Sequence, residues 1–265
     1  MATKRVIYIS TSEHGKGNNK CLKSGCYEDK HTRPIGNECK EHLEYNGFKV
    51  VIAKAGTSMA TRCAESDRVG ADLHVPIHTN ASGSSSARYL MFMFWADNDA
   101  HRKLFNAVSK RMEAVYPGKK DAVFAVRKDL YEINTPNAMT LYCELGFHTN
   151  KTDVNEFIHK PAVVGKALAQ GICDYFGVKF KDKDKDEAEK ETEKETKPAT
   201  TKPAEKANLV KVSTKTVDIV KEPPITLEVV RKCPIGTYTI VEEKNGYGKL
   251  KSGEGWIKLA DVKKV

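Results

Sequence analysis

Apolar residues recur along the first part of the chain with two alternating periods, one typical of strands and one typical of helices. Short apolar runs predict five strands: Arg5–Ser10, Phe48–Ala53, Leu73–His78, Arg88–Trp95 and Met139–Glu144. Longer stretches with helical spacing predict four helices: Thr32–Asn46, Thr57–Gly70, Asp99–Tyr116 and Ala162–Phe176. Strands that alternate with helices are typical of an α/β fold, so we expect a mainly parallel twisted sheet with helices on both faces.

The first predicted helix carries suitable residues at both ends. Ile35, Cys39 and Leu43 recur every four residues and therefore lie on one face. Pro34 lies near the predicted start and Gly47 just past the end, which are the positions these residues favour.

The chain changes character twice after the α/β region, which we assign to residues 1–178. Residues 179–206 alternate Lys with Asp and Glu and hold almost no apolar side chains, which is typical of a flexible charged linker. The same Glu and Lys spacing would also suit an exposed helix over part of this segment. Residues 207–265 hold short apolar runs separated by Pro and Gly, so we expect a small all-β barrel there.

Composition argues against several classes of protein. No apolar stretch reaches about 18 residues, so we expect no membrane insertion. The apolar run Val6–Ile9 is too short for a signal peptide and lacks a cleavage site, which predicts synthesis in the cytoplasm without a signal peptide. The net charge of +9 suits an anionic partner, and the lack of any nucleic-acid motif favours a partner other than nucleic acid.

The cysteines are odd in number and irregularly spaced, which favours reduced thiols over a disulfide framework. They are Cys21, Cys26, Cys39, Cys63, Cys143, Cys173 and Cys233. Cys21 and Cys26 could form a local disulfide or half of a metal site. No second Cys/His pair with finger-like spacing follows them, which favours plain thiols.

Side chains that suit zinc chemistry occur where the predicted strands end. His14 lies in the turn after the first strand, Glu28 lies before the first helix, and His78 and Glu144 end two other strands. The carboxyl ends of parallel strands meet at one edge of a sheet, so we expect these groups to come together. Zinc hydrolases use three protein ligands and one water, whose proton a nearby Glu can accept. The sequence therefore predicts a zinc-dependent hydrolase.

Four segments in this order resemble the zinc-dependent N-acetylmuramoyl-L-alanine amidases known as Amidase_3. The segments are the His14-Gly15 turn, the Glu28 position, Val75-Pro76-Ile77-His78-Thr79-Asn80-Ala81 and Leu141-Tyr142-Cys143-Glu144-Leu145-Gly146-Phe147. The resemblance covers roughly Val6–Phe176. It implies that His14, Glu28 and His78 bind zinc and that Glu144 is the catalytic base.

The same resemblance suggests residues around the cleft. Arg62 and Asn150 match positions where the family has Arg and Asn. Asn80, Arg127 and His148 are candidates for contacts with the substrate.

The chain also departs from the family pattern near the first predicted ligand. Ser12-Glu13 stands where the family has Asp-Pro-Gly, and Pro76 and Thr79 replace the usual Ser and Ala. Glu13 is an alternative ligand, although a carboxylate in a loop is more often solvated.

The segment Gly236–Leu259 resembles a bacterial SH3-like domain of the kind attached to cell-wall hydrolases. The resemblance implies that residues 207–265 bind a peptide or polymer of the cell wall, with Tyr247 and Trp256 as candidate contacts. Both aromatic residues could instead pack in the core of the barrel, and for Trp256 we favour the core.

Together these features predict a peptidoglycan hydrolase that acts at the bacterial cell wall and cleaves the bond between N-acetylmuramic acid and L-alanine. A phage or prophage endolysin is the favoured type, followed by a bacterial autolysin. A zinc peptidase on the same scaffold and a non-catalytic wall-binding protein remain alternatives.

Overall fold

The computed structural model describes residues 4–12, 19–186, 209–212, 217–222 and 226–264. The chain divides into two compact units, Met1–Glu195 and Thr196–Val265. Glu13 and His14 lie outside the described residues, as does the predicted linker from residue 187 onward. No helix in the described ranges is long and apolar enough to cross a membrane.

The first unit alternates strands with helices. Its strands are β1 Val6–Thr11, β2 Lys49–Ile52, β3 Leu73–Asn80, β4 Leu90–Phe94, β5 Val123–Val126, β6 Met139–Thr140 and β7 Tyr142–Phe147. Its helices are α1 Glu28–Tyr45, α2 Met59–Arg68, α3 Asp99–Val115, α4 Tyr131–Asn134, α5 Lys151–Asp153, a π-helical segment Val154–Ile158 and α6 Pro161–Phe176.

The strands form one sheet in the order β2-β1-β3-β7-β4-β5, and the short strand β6 pairs with β3. Neighbouring strands run parallel except β4 and β7, which are antiparallel. This arrangement confirms the predicted α/β class and its mainly parallel sheet.

Alternate residues of β1 show that helices cover both faces of the sheet. Ile7 and Ile9 are fully buried in the main apolar cluster with Ile35 of α1. Tyr8, which points the other way, donates its hydroxyl hydrogen to Glu65 of α2 at 2.8 Å. Successive side chains of β1 therefore alternate between α1 on one face of the sheet and α2 on the other.

Helix α6 packs against α1 and α3. Gly165 makes the first approach possible, because a Cβ there would lie only 2.7 Å from the carbonyl oxygen of Ile35. Any larger residue would push α6 away from α1, which carries Glu28 at its start.

Several predicted boundaries differ from the structure. Helix α1 begins at Glu28 rather than Thr32, so Pro34 lies inside the helix and not at its start. Buried side chains at helical spacing over the added turn stabilise it despite the hydrogen bond that Pro removes. Strand β7 continues to Phe147, so Glu144 lies within the strand and not at its end. Strand β5 was not predicted, because its four residues hold no clear alternation.

The first residues of the predicted linker contact the helices of the first unit. The side-chain oxygen of Asn46, the residue after α1, accepts a hydrogen bond from the backbone N–H of Lys181 at 2.7 Å. The side-chain amide of Asn46 donates one to the carbonyl oxygen of Lys181 at 3.0 Å. Lys166 of α6 forms ion pairs with Asp182 at 2.7 Å and Asp184 at 2.9 Å. Composition alone predicts that these charged side chains are solvated, whereas in the structure Asp182 and Asp184 have a partner in Lys166.

The second unit is all-β in the residues described. Its strands are β8 Leu209–Val212, β9 Val217–Glu222, β10 Thr226–Cys233, β11 Gly236–Lys244, β12 Tyr247–Leu250, β13 Trp256–Lys258 and β14 Lys263–Lys264. They form an antiparallel sheet in the order β10-β9-β13-β12-β11-β8-β14, around a small apolar core that includes Val210, Ile219 and Ile257. The all-β character is confirmed, and the SH3-like barrel stays a prediction.

Candidate functional site

Neighbouring strands β3 and β7 bring two of the predicted site residues together. His78 and Glu144 are partners in the parallel register. Glu28, the first residue of α1, places its Oε1 3.1 Å from Nδ1 of His78. A cavity of about 240 Å³ lies over these three side chains and is lined by Asn19, Glu28, His78, Thr79, Asn80, Ala81, Tyr142, Glu144 and His148.

The carboxylate of Glu28 is buried and held on several sides. The backbone N–H of Thr79 donates to its Oε1 at 3.0 Å, and the side-chain amide of Asn19 donates to its Oε2. Burial alone would raise the pKa of Glu28, but the contacts with His78, Thr79 and Asn19 outweigh it and lower the pKa to about 2. Glu28 is therefore an anion fixed at the floor of the cavity.

The imidazole of His78 is enclosed by this anion and by an aromatic ring. Burial opposes its protonation, yet the hydrogen bond and charge of Glu28 raise the pKa of His78. The ring of Tyr142 stacks on it with centroids 4.6 Å apart and an interplanar angle of 13°. Tyr142 was not singled out from the sequence, although its position two residues before Glu144 on the same strand face gives a signal for it.

Glu144 differs from Glu28 in having little to hold its charge. Its Oε2 is buried and has no hydrogen-bond partner among the described residues. Burial raises the pKa of Glu144 to about 7, which Glu28 reinforces, while His78 and Arg127 oppose it. A carboxyl group with this pKa is able to accept and release a proton near neutral pH.

The predicted substrate contacts lie at different distances from this centre. Asn80 and His148 line the cavity, and Nδ1 of His148 lies 3.1 Å from the carbonyl oxygen of Thr79. Arg127 follows β5 and is exposed, with its guanidinium bound to Asp129 at 2.7 and 2.8 Å. Arg127 therefore affects the cavity through its charge, since no hydrogen bond of the described residues joins it to Glu144.

A buried polar network joins the end of β1 to α2, to α4 and to the beginning of β3. Arg62 donates to the carbonyl oxygen of Thr11 at 2.5 Å and to Ser10 at 3.2 Å. Ser10 donates in turn to Glu132, whose Oε1 lies 3.4 Å from Nε2 of His74. Arg62 thus fixes the end of β1, and Glu132 is a buried carboxylate that the sequence did not reveal.

Asn150, the other residue matched to the family, has a structural position. Its side-chain oxygen caps the helix α5 by accepting from Thr152 and Asp153, and its amide donates to the Ser85 carbonyl at 2.6 Å. It therefore joins the segment after β7 to the loop after β3.

The two aromatic residues proposed for wall contacts differ in exposure. Trp256 is buried with 8% of its surface exposed, and its ring lies under Lys249 at 5.7 Å. This burial leaves little of the indole for a wall polymer and favours a packing role. Tyr247 on β12 is only partly buried.

The donor set around the cavity fits zinc. A fixed carboxylate and an imidazole are both ligands that zinc accepts at catalytic sites. A separate group formed by His42, Asp182 and Asp184 also collects ligand atoms. The ammonium group of Lys166 forms ion pairs with both of those carboxylates, so a metal ion there would have to compete with Lys166.

Comparisons with known proteins give the family. None of the curated protein sequences compared with the chain matches it significantly. Among solved structures, the catalytic domain of CwlV, an N-acetylmuramoyl-L-alanine amidase from Bacillus (Paenibacillus) polymyxa var. colistinus, is 20% identical with a TM-score of 0.58. The match covers 66% of this chain and 99% of that chain.

Two further structures share the fold. The N-acetylmuramoyl-L-alanine amidase AmiC2 of Nostoc punctiforme is 20% identical with a TM-score of 0.59, over 66% of this chain and 98% of that chain. The catalytic domain of the CD27L endolysin targeting Clostridia difficile is 16% identical with a TM-score of 0.52, over 64% of this chain and 97% of that chain. The sequence profile of Amidase_3, described as N-acetylmuramoyl-L-alanine amidase, matches residues 7–174, which is more than half of the chain. The chain therefore belongs to the Amidase_3 family of N-acetylmuramoyl-L-alanine amidases.

Proposed function

We propose that this protein hydrolyses the amide bond between N-acetylmuramic acid and L-alanine in peptidoglycan, using zinc held by His14, Glu28 and His78. Family membership supports the peptidoglycan substrate. The observation that carries the reaction is Glu144, whose enclosed carboxyl group lies beside the Glu28–His78 pair and has its pKa raised to about 7.

Zinc is the cofactor that this donor set suits best. When bound, it would polarise the substrate carbonyl and lower the pKa of water to about 7. Two of the residues that would hold it are already fixed: Thr79 and Asn19 orient the carboxylate of Glu28, and Tyr142 supports the ring of His78. Such outer contacts orient metal ligands and strengthen binding.

Glu144 moves the proton. Its Oε2, which has no partner among the described residues, accepts a proton from the attacking water. The same carboxyl group then protonates the nitrogen of L-alanine as the amide bond breaks. Burial raises the pKa of Glu144, and the charge of a bound zinc ion would lower it again, toward the carboxylate form that accepts the proton.

The shape of the cavity limits what enters it. Its volume of about 240 Å³ accommodates the scissile amide and its near neighbours but is below the ~300–1,000 Å³ of sites that enclose a whole small ligand. The glycan and the stem peptide therefore extend over the surface outside. Asn80 and His148, which line the cavity, are the candidates for contacts with the groups next to the amide.

Product analysis of digested peptidoglycan tests the proposed bond. The full chain, loaded with zinc, should release stem peptides with new N-terminal L-alanine and leave glycan chains with free lactyl carboxyl groups. Cuts within the stem peptide, with the muramoyl–alanine bond intact, would instead indicate a zinc peptidase and contradict the proposal.

We further infer that the second unit binds the cell wall and that the protein acts as a lytic enzyme of the endolysin or autolysin type. The partly exposed Tyr247 and the excess of basic residues suit an anionic wall polymer. A wall-binding unit joined to the catalytic unit would raise the local concentration of catalyst at its substrate.

A truncation tests this role. A chain ending at Asp186 keeps the segment that contacts α1 and α6 while removing the second unit. It should no longer bind purified walls in a pull-down assay, but it should still hydrolyse soluble muropeptides. Equal wall binding by the full and truncated chains would remove the targeting role.

A further inference from the structure

Three buried side chains and one partly exposed side chain outside the catalytic cavity bring two thiols and two imidazoles together. Cys21, Cys26, His31 and His159 place one ligand atom each within 4.8 Å of all the others. Nε2 of His159 lies 3.4 Å from Sγ of Cys26 and 3.7 Å from Sγ of Cys21. Nδ1 of His31 lies 3.3 Å from Sγ of Cys26.

These spacings match a tetrahedral zinc site. With Zn–S at about 2.3 Å and Zn–N at about 2.0–2.1 Å, sulfur and nitrogen ligands on a tetrahedron lie about 3.6 Å apart. The measured sulfur–nitrogen distances of 3.3, 3.4 and 3.7 Å fall on both sides of that value. Two cysteines and two histidines are also the ligand set of many structural zinc sites.

The loop before α1 is shaped to present both sulfurs. Lys20 and Tyr27 form an antiparallel bridge, and the backbone N–H of Cys21 donates to the carbonyl of Cys26 at 3.1 Å. Gly25 turns the chain between them with a φ of +71°, which residues with a side chain rarely adopt. This tight turn aims both cysteines at the same point.

The histidines come from distant parts of the chain. His31 lies in the first turns of α1, and His159 follows the π-helical segment that leads into α6. Their rings meet edge to face with centroids 5.7 Å apart. The cluster therefore ties the loop before α1 to the turn before α6.

The outer contacts suit metal binding by His31. Its Nε2 lies 2.7 Å from the hydroxyl oxygen of Thr79, so a proton on Nε2 leaves the lone pair of Nδ1 facing the sulfurs.

We propose that Cys21, Cys26, His31 and His159 bind one zinc ion in a closed, structural site distinct from the catalytic one. All four positions are filled by protein ligands, which leaves no place for a reacting water. A cavity of about 590 Å³ lined by Leu22, Lys23, His159 and Lys160, among others, gives the ion access from the surface.

This site bears on the catalytic centre through the loop that it holds. The loop ends at α1, where the Glu28 backbone N–H donates to the Asn19 carbonyl at 3.2 Å. Asn19 in turn binds the Glu28 carboxylate. A zinc ion on Cys21 and Cys26 would therefore fix the segment that orients a predicted catalytic ligand.

Cobalt substitution of the full chain tests the proposal. Cobalt bound by thiolates gives a near-ultraviolet sulfur-to-metal charge-transfer band, and no cysteine lines the described part of the catalytic cavity. The band should appear in the wild type, disappear in Cys26→Ser, and persist in Cys63→Ser, a buried cysteine elsewhere in the unit. The readout does not depend on amidase activity, so failure of the proposed reaction would leave it unaffected.

Metal content and thiol state complete the experiment. Zinc analysis should find one ion fewer per chain in Cys26→Ser than in Cys63→Ser. His159→Gln, at the partly exposed end of the cluster, should stay folded and weaken zinc binding at this site by at least about tenfold, since even second-shell changes weaken metal affinity by 10–100-fold. Absence of the charge-transfer band in the folded wild type, or a Cys21–Cys26 disulfide in protein purified under reducing conditions, would overturn the proposal.

Discussion

The catalytic cavity and the cluster of cysteines and histidines are connected through Thr79 but differ in openness. The backbone N–H of Thr79 donates to Glu28 in the cavity, and its hydroxyl contacts His31 in the cluster. The cavity offers oxygen and nitrogen ligands beside open space and an uncompensated carboxyl group, Glu144. The cluster offers sulfur and nitrogen ligands that already face one another.

This difference explains how two groups of metal-binding residues in the same unit would have different roles. A site with an open position lets water and substrate reach the ion, whereas a site closed by four protein ligands stabilises the fold.

The largest effect is expected at Glu144. Glu144→Gln keeps the shape of the side chain but removes the base, so the hydrolysis rate should fall by roughly 10²–10⁴-fold. Zinc content and melting temperature should stay close to those of the wild type. Glu156→Gln, an exposed residue of the π-helical segment, is the matched control and should retain full activity. Near-normal hydrolysis by Glu144→Gln would show that another group moves the proton.

Loss of the cluster should reduce the stability of the first unit more than the rate of hydrolysis. Cys26→Ser should lower the melting temperature of the first unit by at least about 5 °C, because a bound ion that stabilises only the folded state is lost. Differential scanning calorimetry with Cys63→Ser as control measures this. Residual hydrolysis below the melting temperature is expected, since Glu144 and His78 remain. Complete inactivation of the folded variant would mean that the cluster belongs to the reaction.

Tyr142 tests the support of His78 within the cavity. An aromatic stack contributes about 0.5–1.5 kcal/mol, so Tyr142→Ala should lower kcat/KM by up to about tenfold. Tyr142→Phe keeps the ring and should remain close to the wild type. Equal losses in the two variants would assign the effect to the hydroxyl group instead of the stack.

The smallest effect is expected at Arg127. Its positive charge lowers the pKa of Glu144, so Arg127→Gln should raise that pKa. A base works when deprotonated, and the acidic limb of the pH–rate profile should therefore move to higher pH. We expect a shift below about one pH unit, because Arg127 is exposed and screened by solvent. Lys128→Gln is the neighbouring control, and a shift to lower pH would contradict the assignment of Glu144 as base.

The proximity of Glu28, His78 and Glu144 was largely predictable, because its signals are local. The segments around His78 and Glu144 each place the functional residue on a short apolar strand, and parallel pairing then puts them side by side. The beginning of α1 was harder, since Pro34 suggested a later start and only tertiary burial favours the extra turn. Whether His14 joins this site stays a prediction.

The cluster was not predictable for a physical reason. His159 is 138 residues from Cys21 and lies at a turn that follows a π-helical segment, so no spacing in the sequence links them. Finger-like spacing is visible in a sequence because one short element presents the ligands. Here the sheet and α1 set the distance between ligands that are far apart in the chain. The plain thiols favoured from the sequence therefore lie in a group that the sequence could not reveal.

Anomalous diffraction at the zinc edge from crystals of the full chain tests the account most directly. The account predicts two zinc peaks in the first unit: one bound by Glu28 and His78 in the cavity near Glu144, and one enclosed by Cys21, Cys26, His31 and His159. A first unit with no zinc at Glu28 and His78 would contradict the proposed reaction. Zinc at that position alone, with the four cluster residues free of metal, would contradict the division into an open and a closed site.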